Sequence, residues 1–159
     1  MTYTIWFAAE LLNALLAGFL FAFAVVVMPG IRSLPDRDFL RAFQRIDGVI
    51  QRGSPAFLLV WLGSAVSLIG VALVAFLGTH GEARWLLAGA AVAHVVGVQL
   101  PTMTINIPLN NCVQAADLDT LEDNAVADLR AAFEPRWNRW NLGRTSVACV
   151  IAAVLASLP

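Results

Sequence analysis

Long apolar stretches separated by short polar ones run the length of this chain. Residues 11–31 carry no charged side chain. Residues 53–81 and 85–116 carry none apart from His80 and His94, and 145–159 again carries none. A helix crosses the hydrocarbon core with about 20 predominantly apolar residues. The pattern therefore predicts four transmembrane helices, over roughly 6–28, 55–77, 85–106 and 138–158. Together they predict an all-α fold, an integral membrane four-helix bundle with short amphipathic helices in its cytoplasmic loops. A single transmembrane domain covers 1–159.

Composition agrees with lipid as the solvent. Of 159 residues 59% are hydrophobic and 13% charged, too little charge to coat a soluble domain of this length. A removable signal peptide is not expected at the first span, because it lacks a basic leading region and Glu10 interrupts its apolar core. Every basic residue is an arginine, and their distribution sets the topology. Four spans place both termini on one side and loops 29–54 and 107–137 on the other. Those loops hold Arg32, Arg37, Arg41, Arg45, Arg52, Arg130 and Arg136, with Arg139 at the edge, whereas the opposite side holds only Arg84. The positive-inside rule makes the two long loops cytoplasmic and both termini external, in the plasma (cytoplasmic) membrane.

Each cytoplasmic loop carries a helical pattern. In "SLPDRDFLRAFQRIDGVIQRGS", Phe39, Leu40, Phe43, Ile46 and Ile50 recur at helical spacing, with Arg37, Arg41 and Arg45 on another face. Ser33 and Asp36 suit an N-terminal cap. The expectation is an amphipathic helix on the anionic inner leaflet, with membrane lipids as partners; plain topology control by arginine is the simpler reading. In "DLDTLEDNAVADLRAAFEP", Leu118, Leu121, Leu129 and Phe133 form a weaker stripe, which Pro135 is expected to end before the fourth span. In the second span Gly63, Ser67 and Gly70 form a small-residue face for close packing.

Polar groups inside the spans carry the candidate chemistry. "QLPTMTINIPLNN" places Gln99, Thr102, Asn106 and Asn110 at i, i+3, i+7 and i+11, one stripe on the cytoplasmic half of the third span. Pro101 is expected to kink that helix. Amides in hydrocarbon need partners, so the stripe faces either other helices, as structural hydrogen bonds, or a ligand. "RWNRWNLGRT" opens the fourth span, with Trp137, Trp140, Asn141 and Arg144 on one face. Counting about 20 residues back from Pro159 puts Arg144 inside the bilayer. An aromatic belt with a snorkelling arginine explains Trp137, Arg136 and Arg139. It explains Arg144 less well, and an intramembrane arginine is a functional-site hypothesis. The expectation is that Arg144, Asn141 and Asn106 meet in a polar pocket.

His94 is the only histidine within a span, roughly 14 Å below the outer end by helical rise. Gln99, five residues on, points about 140° away in an α-helix. Glu10 and Asn13 share a face of the first span and are placed to meet His94. That pairing allows a metal site of His94 and Glu10, or His94 as a haem or copper ligand; a structural histidine is the alternative. Cys112 and Cys149 lie at different depths, which argues against a disulfide. No phosphate-binding glycine loop, zinc spacing or serine elbow is present, and nothing supports nucleic-acid binding. A transporter is disfavoured, because the chain has no inverted repeat and no line of charges across the membrane.

"NIPLNN" after the third span and "RWNRWNLGRT" at the fourth, with the early "MPGI" and "AFQRID", resemble the anthrone oxygenase-like family of small four-span membrane proteins, over nearly the whole chain. The resemblance implies a four-helix membrane bundle and, from its fungal members, oxidation of anthrones to anthraquinones with dioxygen. By matching position it carries over Asn106, Pro108, Asn110, Trp137, Trp140, Asn141 and Arg144. Some members place a histidine beside the asparagine of the last motif; Leu142 stands there here, which argues against proton transfer at that spot.

The chemistry such a reaction needs is a base, an oxyanion partner and a flat slot, without an organic cofactor. Arg144, Asn141 and Asn106 suit the catalytic oxyanion role. Trp137 and Trp140 suit stacking on a hydrophobic aromatic small molecule, with Gln99 and Asn110 as further substrate contacts. The base is not evident from the sequence. The function expected is a membrane oxidoreductase or oxygenase acting on a flat, lipid-soluble, anthrone- or quinone-like molecule. The alternative is a non-catalytic membrane subunit, binding lipid, quinone, haem or a partner membrane protein, as a homo-oligomer or in a complex.

Overall fold

The computed structural model describes residues 2–78, 81 and 83–158, so His80 lies outside the described residues. Its helices are α1 (Tyr3–Arg32), α2 (Asp36–Gln51), α3 (Pro55–Gly78), α4 (Ala83–Gln114) and α5 (Asp123–Ser157). All but α2 are long and apolar enough to cross a membrane. α1 packs against α3 and α5, α3 against α4, and α4 against α5, which closes a ring of four. Leu59, Val66, Leu77, Val92 and Val150 stay exposed on the outside of the ring, as lipid-facing residues do. Between α1 and α3 the close approach falls at Gly63, where a Cβ would meet Leu12 at 3.0 Å. Gly70 meets nothing within 4 Å, so the expected small-residue face narrows to one turn. Between α4 and α5 Gly97 does the same work, with Val147 at 3.0 Å from its absent Cβ.

The kink expected at Pro101 takes a different form. Three π-helical turns interrupt the spans: Phe23–Val27 in α1, and Val95–Gln99 and Thr102–Asn106 in α4. Each ends two residues before a proline, respectively Pro29, Pro101 and Pro108. A proline inside a helix lacks an N–H and its ring crowds the carbonyl four residues back. One extra residue in the preceding turn moves that carbonyl away, and the wider i→i+5 bond closes just ahead of the ring, as Met28 N–H to the Phe23 carbonyl shows.

Pro135 behaves differently. The expectation that it ends a helix is wrong: α5 runs through it without a break. Its ring frees the carbonyl of Ala131, and Ala131 is exposed, so the orphaned acceptor is not sealed in the core. The fourth helix therefore begins at Asp123, residues 115–122 are turns and loop, and α4 continues to Gln114.

The two long loops fold together under one end of the bundle. The apolar face of α2 packs on the bundle: Phe39, Leu40 and Phe43 are all but fully buried, in one cluster with Val113, Leu118, Val126, Phe133 and Trp137. Phe43 meets the edge of Phe133 at 4.5 Å between ring centres. Two of the three arginines of α2 are turned to protein groups as well. Arg37 donates to the carbonyls of Leu118 and Leu121 and pairs with Asp123, and Arg41 pairs with Asp119. The expected Ser33–Asp36 cap does not form; Ser33 donates to the Gly30 carbonyl, and Asp36 binds Arg130. The hydrophobic stripe of α2 has a protein partner, which the amphipathic pattern alone cannot distinguish from lipid.

Arg130 ties this end together. Its guanidinium donates to the carbonyls of Arg32 (2.7 Å) and Leu34 (2.8 Å), to Asp36 (3.0 Å) and to Glu134 (2.8 Å), and lies 4.2 Å over the Phe39 ring. Arg130→Ala is expected to lower stability by about 2–3 kcal/mol and to open the 33–54 segment to protease. An unchanged melting temperature with an unchanged cleavage pattern would contradict this role.

Candidate functional site

Arg144 sits on α5 facing inward and is 6% exposed. Burying a guanidinium is tolerated only when its donors are met. Nη1 donates to Thr102 Oγ1 at 2.8 Å and Nη2 to Asn141 Oδ1 at 2.9 Å, while Nε has no partner. Asn141, one helical turn earlier, in turn donates to the Leu20 carbonyl of α1 at 3.2 Å. Thr102 donates to the Val98 carbonyl at 2.6 Å, which fixes the lone pair it offers to the arginine. Helices α1, α4 and α5 are thus coupled through one cation.

These groups line a cavity of about 80 Å3. Phe19, Phe23, Phe43, Phe57, Trp61 and Trp137 supply its rings, and Asn106, Asn110 and Asp47 share its polar lining with Arg144, Asn141 and Thr102. Phe19, Phe57 and Trp61 are only half-buried and touch in series, with Phe57 and Trp61 stacked at 16°, so they form the wall toward the outside. Asn106 is buried, donates weakly to the Trp137 carbonyl at 3.4 Å, and leaves its Oδ1 without a partner. Trp61 Nε1 is likewise buried and unpartnered. Two N–H donors and one carbonyl acceptor on the cavity residues are therefore free for a ligand, and buried polar atoms are rarely left so.

Asp47 was not evident from sequence as a site residue. It is 3% exposed and accepts from three amides: Asn110 Nδ2 on Oδ1 at 2.7 Å, Gln114 Nε2 on Oδ2 at 2.9 Å and Gln51 Nε2 on Oδ2 at 3.0 Å. The signal was present in the pattern. Phe39, Phe43 and Asp47 fall at i, i+4 and i+8, so the aspartate stands on the apolar stripe of α2 and not with its arginines. Asn110 then joins this carboxylate to the indole of Trp137, whose Nε1 donates to Asn110 Oδ1 at 2.7 Å. Trp137 packs against Phe23 at 5.8 Å and Phe43 at 5.7 Å, and its ring centre is 6.0 Å from the Arg144 guanidinium carbon.

The residues singled out in the sequence divide into two groups. Arg144, Asn141, Asn106, Asn110 and Trp137 line the one cavity. Arg144 and Asn141 bond directly, whereas Asn106 bonds to neither. Trp140 does not line it, and neither does Gln99. Gln99 instead reaches His94, with Nε2 at 3.0 Å from the imidazole Nε2, and donates to the Trp61 carbonyl at 3.3 Å. The expected 140° separation fails because Val95–Gln99 is π-helical; at i→i+5 bonding, five residues bring the two side chains to roughly 50° of each other. His94 is fully buried and also lies 3.5 Å from Ser64 Oγ. Asn13 joins this cluster by donating to the Ser64 carbonyl at 3.1 Å, but Glu10 makes no hydrogen bond there. Among the described residues no group of three or more histidine, cysteine, aspartate or glutamate side chains could hold a metal ion. Cys112 and Cys149 are free thiols.

A membrane-type four-helix bundle with a buried arginine and a carboxylate in an aromatic-walled cavity is the class that fold and site define. A family model described as anthrone oxygenase matches residues 47–155, about two thirds of the chain, and the chain belongs to that family. The matched stretch leaves out "MPGI" at 28–31, so it is shorter than the near-complete span expected from the motifs. No curated protein and no solved structure matches the chain significantly.

Asn110 is the shared partner of Trp137 and Asp47. Asn110→Leu would strand a buried indole N–H and remove one of the three donors to a buried carboxylate. A loss of about 2–4 kcal/mol is expected from thermal denaturation in detergent. A loss below about 0.5 kcal/mol, as for an ordinary surface change, would contradict the network.

Proposed function

We propose that this protein is a membrane oxidoreductase of the oxygenase type, which oxidises a flat, lipid-soluble ketone of anthrone-like chemistry with dioxygen. The observation that carries the reading is Arg144, a buried cation with a free N–H, in a cavity lined by six aromatic rings. Family membership supports the reaction class.

An anthrone has a methylene flanked by two aromatic rings and opposite a ketone. Loss of one methylene proton gives an anion whose charge rests largely on the ketone oxygen. Arg144, with the amide of Asn141 beside it, supplies a preorganised partner for that oxygen in a low-dielectric site. The anion passes one electron to dioxygen, the resulting radical pair combines to a peroxide anion at the former methylene carbon, and the proton removed in the first step returns to it to give the hydroperoxide. Loss of the second methylene proton with cleavage of the O–O bond gives the new ketone and one water. The balance is one substrate and one dioxygen to one quinone and one water.

Phe57 and Trp61 face the outside of the bundle, where a substrate dissolved in lipid arrives. A fused tricycle is larger than the cavity of about 80 Å3, so binding requires these half-buried rings to swing aside. In this reading the positive-inside rule, applied to the arginine-rich loops, sets α2 and the Asp47 side of the cavity toward the cytoplasm and both termini outside.

Two measurements test this reading. Purified protein in nanodiscs is expected to take up oxygen on addition of an anthrone, one molecule per quinone formed, and Arg144→Lys is expected to lower kcat by about 100-fold with little loss of thermal stability, because lysine keeps the charge without the planar fork. Binding without oxygen uptake would instead favour a non-catalytic quinone- or lipid-binding subunit. For topology, a cysteine introduced near Arg45 in a variant lacking Cys112 and Cys149 should resist an impermeant thiol reagent in intact cells; rapid labelling there would reverse the orientation.

A further inference from the structure

We infer that the Asp47 carboxylate is the general base that removes the substrate's methylene proton, a catalytic residue for the reaction proposed above and dependent on that reading. Among the described residues lining the cavity, Asp47 and Arg144 alone are ionisable. The oxidation needs one group to take a proton and one to face the developing negative charge, and a guanidinium cannot be the base at neutral pH. His94 does not line the cavity.

The surroundings of Asp47 fit the role. A buried aspartate is usually paired with a cation; its partners here are the neutral amides of Asn110, Gln114 and Gln51, and it makes no ion pair among the described residues. An ionised carboxylate has about four acceptor sites. Oδ2 receives two N–H donors and Oδ1 only one, so a lone pair on Oδ1 remains for a proton. The amides orient the carboxylate without neutralising it. Asn110, which also holds the Trp137 indole, is a positioning residue in this arrangement. Gln51, which donates to Oδ2, is exposed, so the carboxylate lies between the cavity and the surface of the arginine-rich end. In the step itself the C–H bond breaks, its proton moves to Asp47, and the electron pair is delocalised onto the substrate ketone, from which dioxygen takes it up.

Anaerobic hydrogen exchange separates this step from the oxidation. With the full-length protein in nanodiscs under nitrogen, exchange of the anthrone methylene protons with D2O is followed by NMR, alongside aerobic oxygen uptake and quenching of tryptophan fluorescence on binding. Wild type is expected to accelerate exchange. Asp47→Asn is expected to bind the anthrone but to lose exchange and turnover by about 100-fold or more, Asp47→Glu to recover part of both, and formate to restore exchange in Asp47→Gly, which a purely structural aspartate would not allow. Asp47→Asn with wild-type exchange and turnover overturns the assignment and leaves the oxygenase reading intact. Wild-type exchange without oxygen uptake keeps the base and sinks the oxygenase reading. A wild-type protein that binds anthrone without accelerating exchange overturns the base assignment even if no Asp47 variant folds.

Discussion

A guanidinium inside a membrane-spanning helix loses the water that would hydrate it, and the rest of this bundle is arranged around making up that loss at Arg144. Thr102 and Asn141 take two of its donors, and each is itself tied to the carbonyl of another residue, Val98 on α4 and Leu20 on α1. Aliphatic replacement of such a group would often be neutral for stability. One N–H of Arg144 stays unpaired, and buried polar groups are rarely left so.

The helices had to deform to supply those partners. Phe23, Val98, Thr102 and Asn106 all line the cavity, and all four belong to π-helical turns. Each of these turns runs up to a proline, Pro29, Pro101 or Pro108, and π-turns are frequent at functional sites. Pro101 and Pro108 therefore shape the wall of the cavity without touching it. At the other end of the bundle the core is built from smaller residues, Ala9, Ala72 and Ala90 among Leu68, Leu87, Ile151 and Leu155.

The four spans were legible because hydrocarbon tolerates so few charges that their absence marks each helix. Arg144, Asn141 and Asn110 were legible for the converse reason, as polar groups where lipid imposes a penalty. What escaped the sequence depended on contacts between segments far apart. The stripe of α2 reads equally as lipid-facing or protein-facing until Phe133 and Leu118 are seen to cover it. Asp47 then passed as one more loop charge, although its register set it among phenylalanines. Gln99 and His94 were separated by assuming a regular α-helix through a proline-bounded stretch. Trp140 shares a helical face with Trp137 in projection, yet only Trp137 reaches the cavity.

The central claim is that a flat aromatic ketone occupies the cavity beside Arg144. Photoaffinity labelling with an azide-bearing anthraquinone, mapped by mass spectrometry of the protein in nanodiscs, tests it most directly. Labels are expected on Phe57, Trp61 or Trp137 and to be displaced by unlabelled anthraquinone. Labels confined to lipid-facing positions such as Leu59, Val66 and Leu77, and indifferent to competitor, would contradict it.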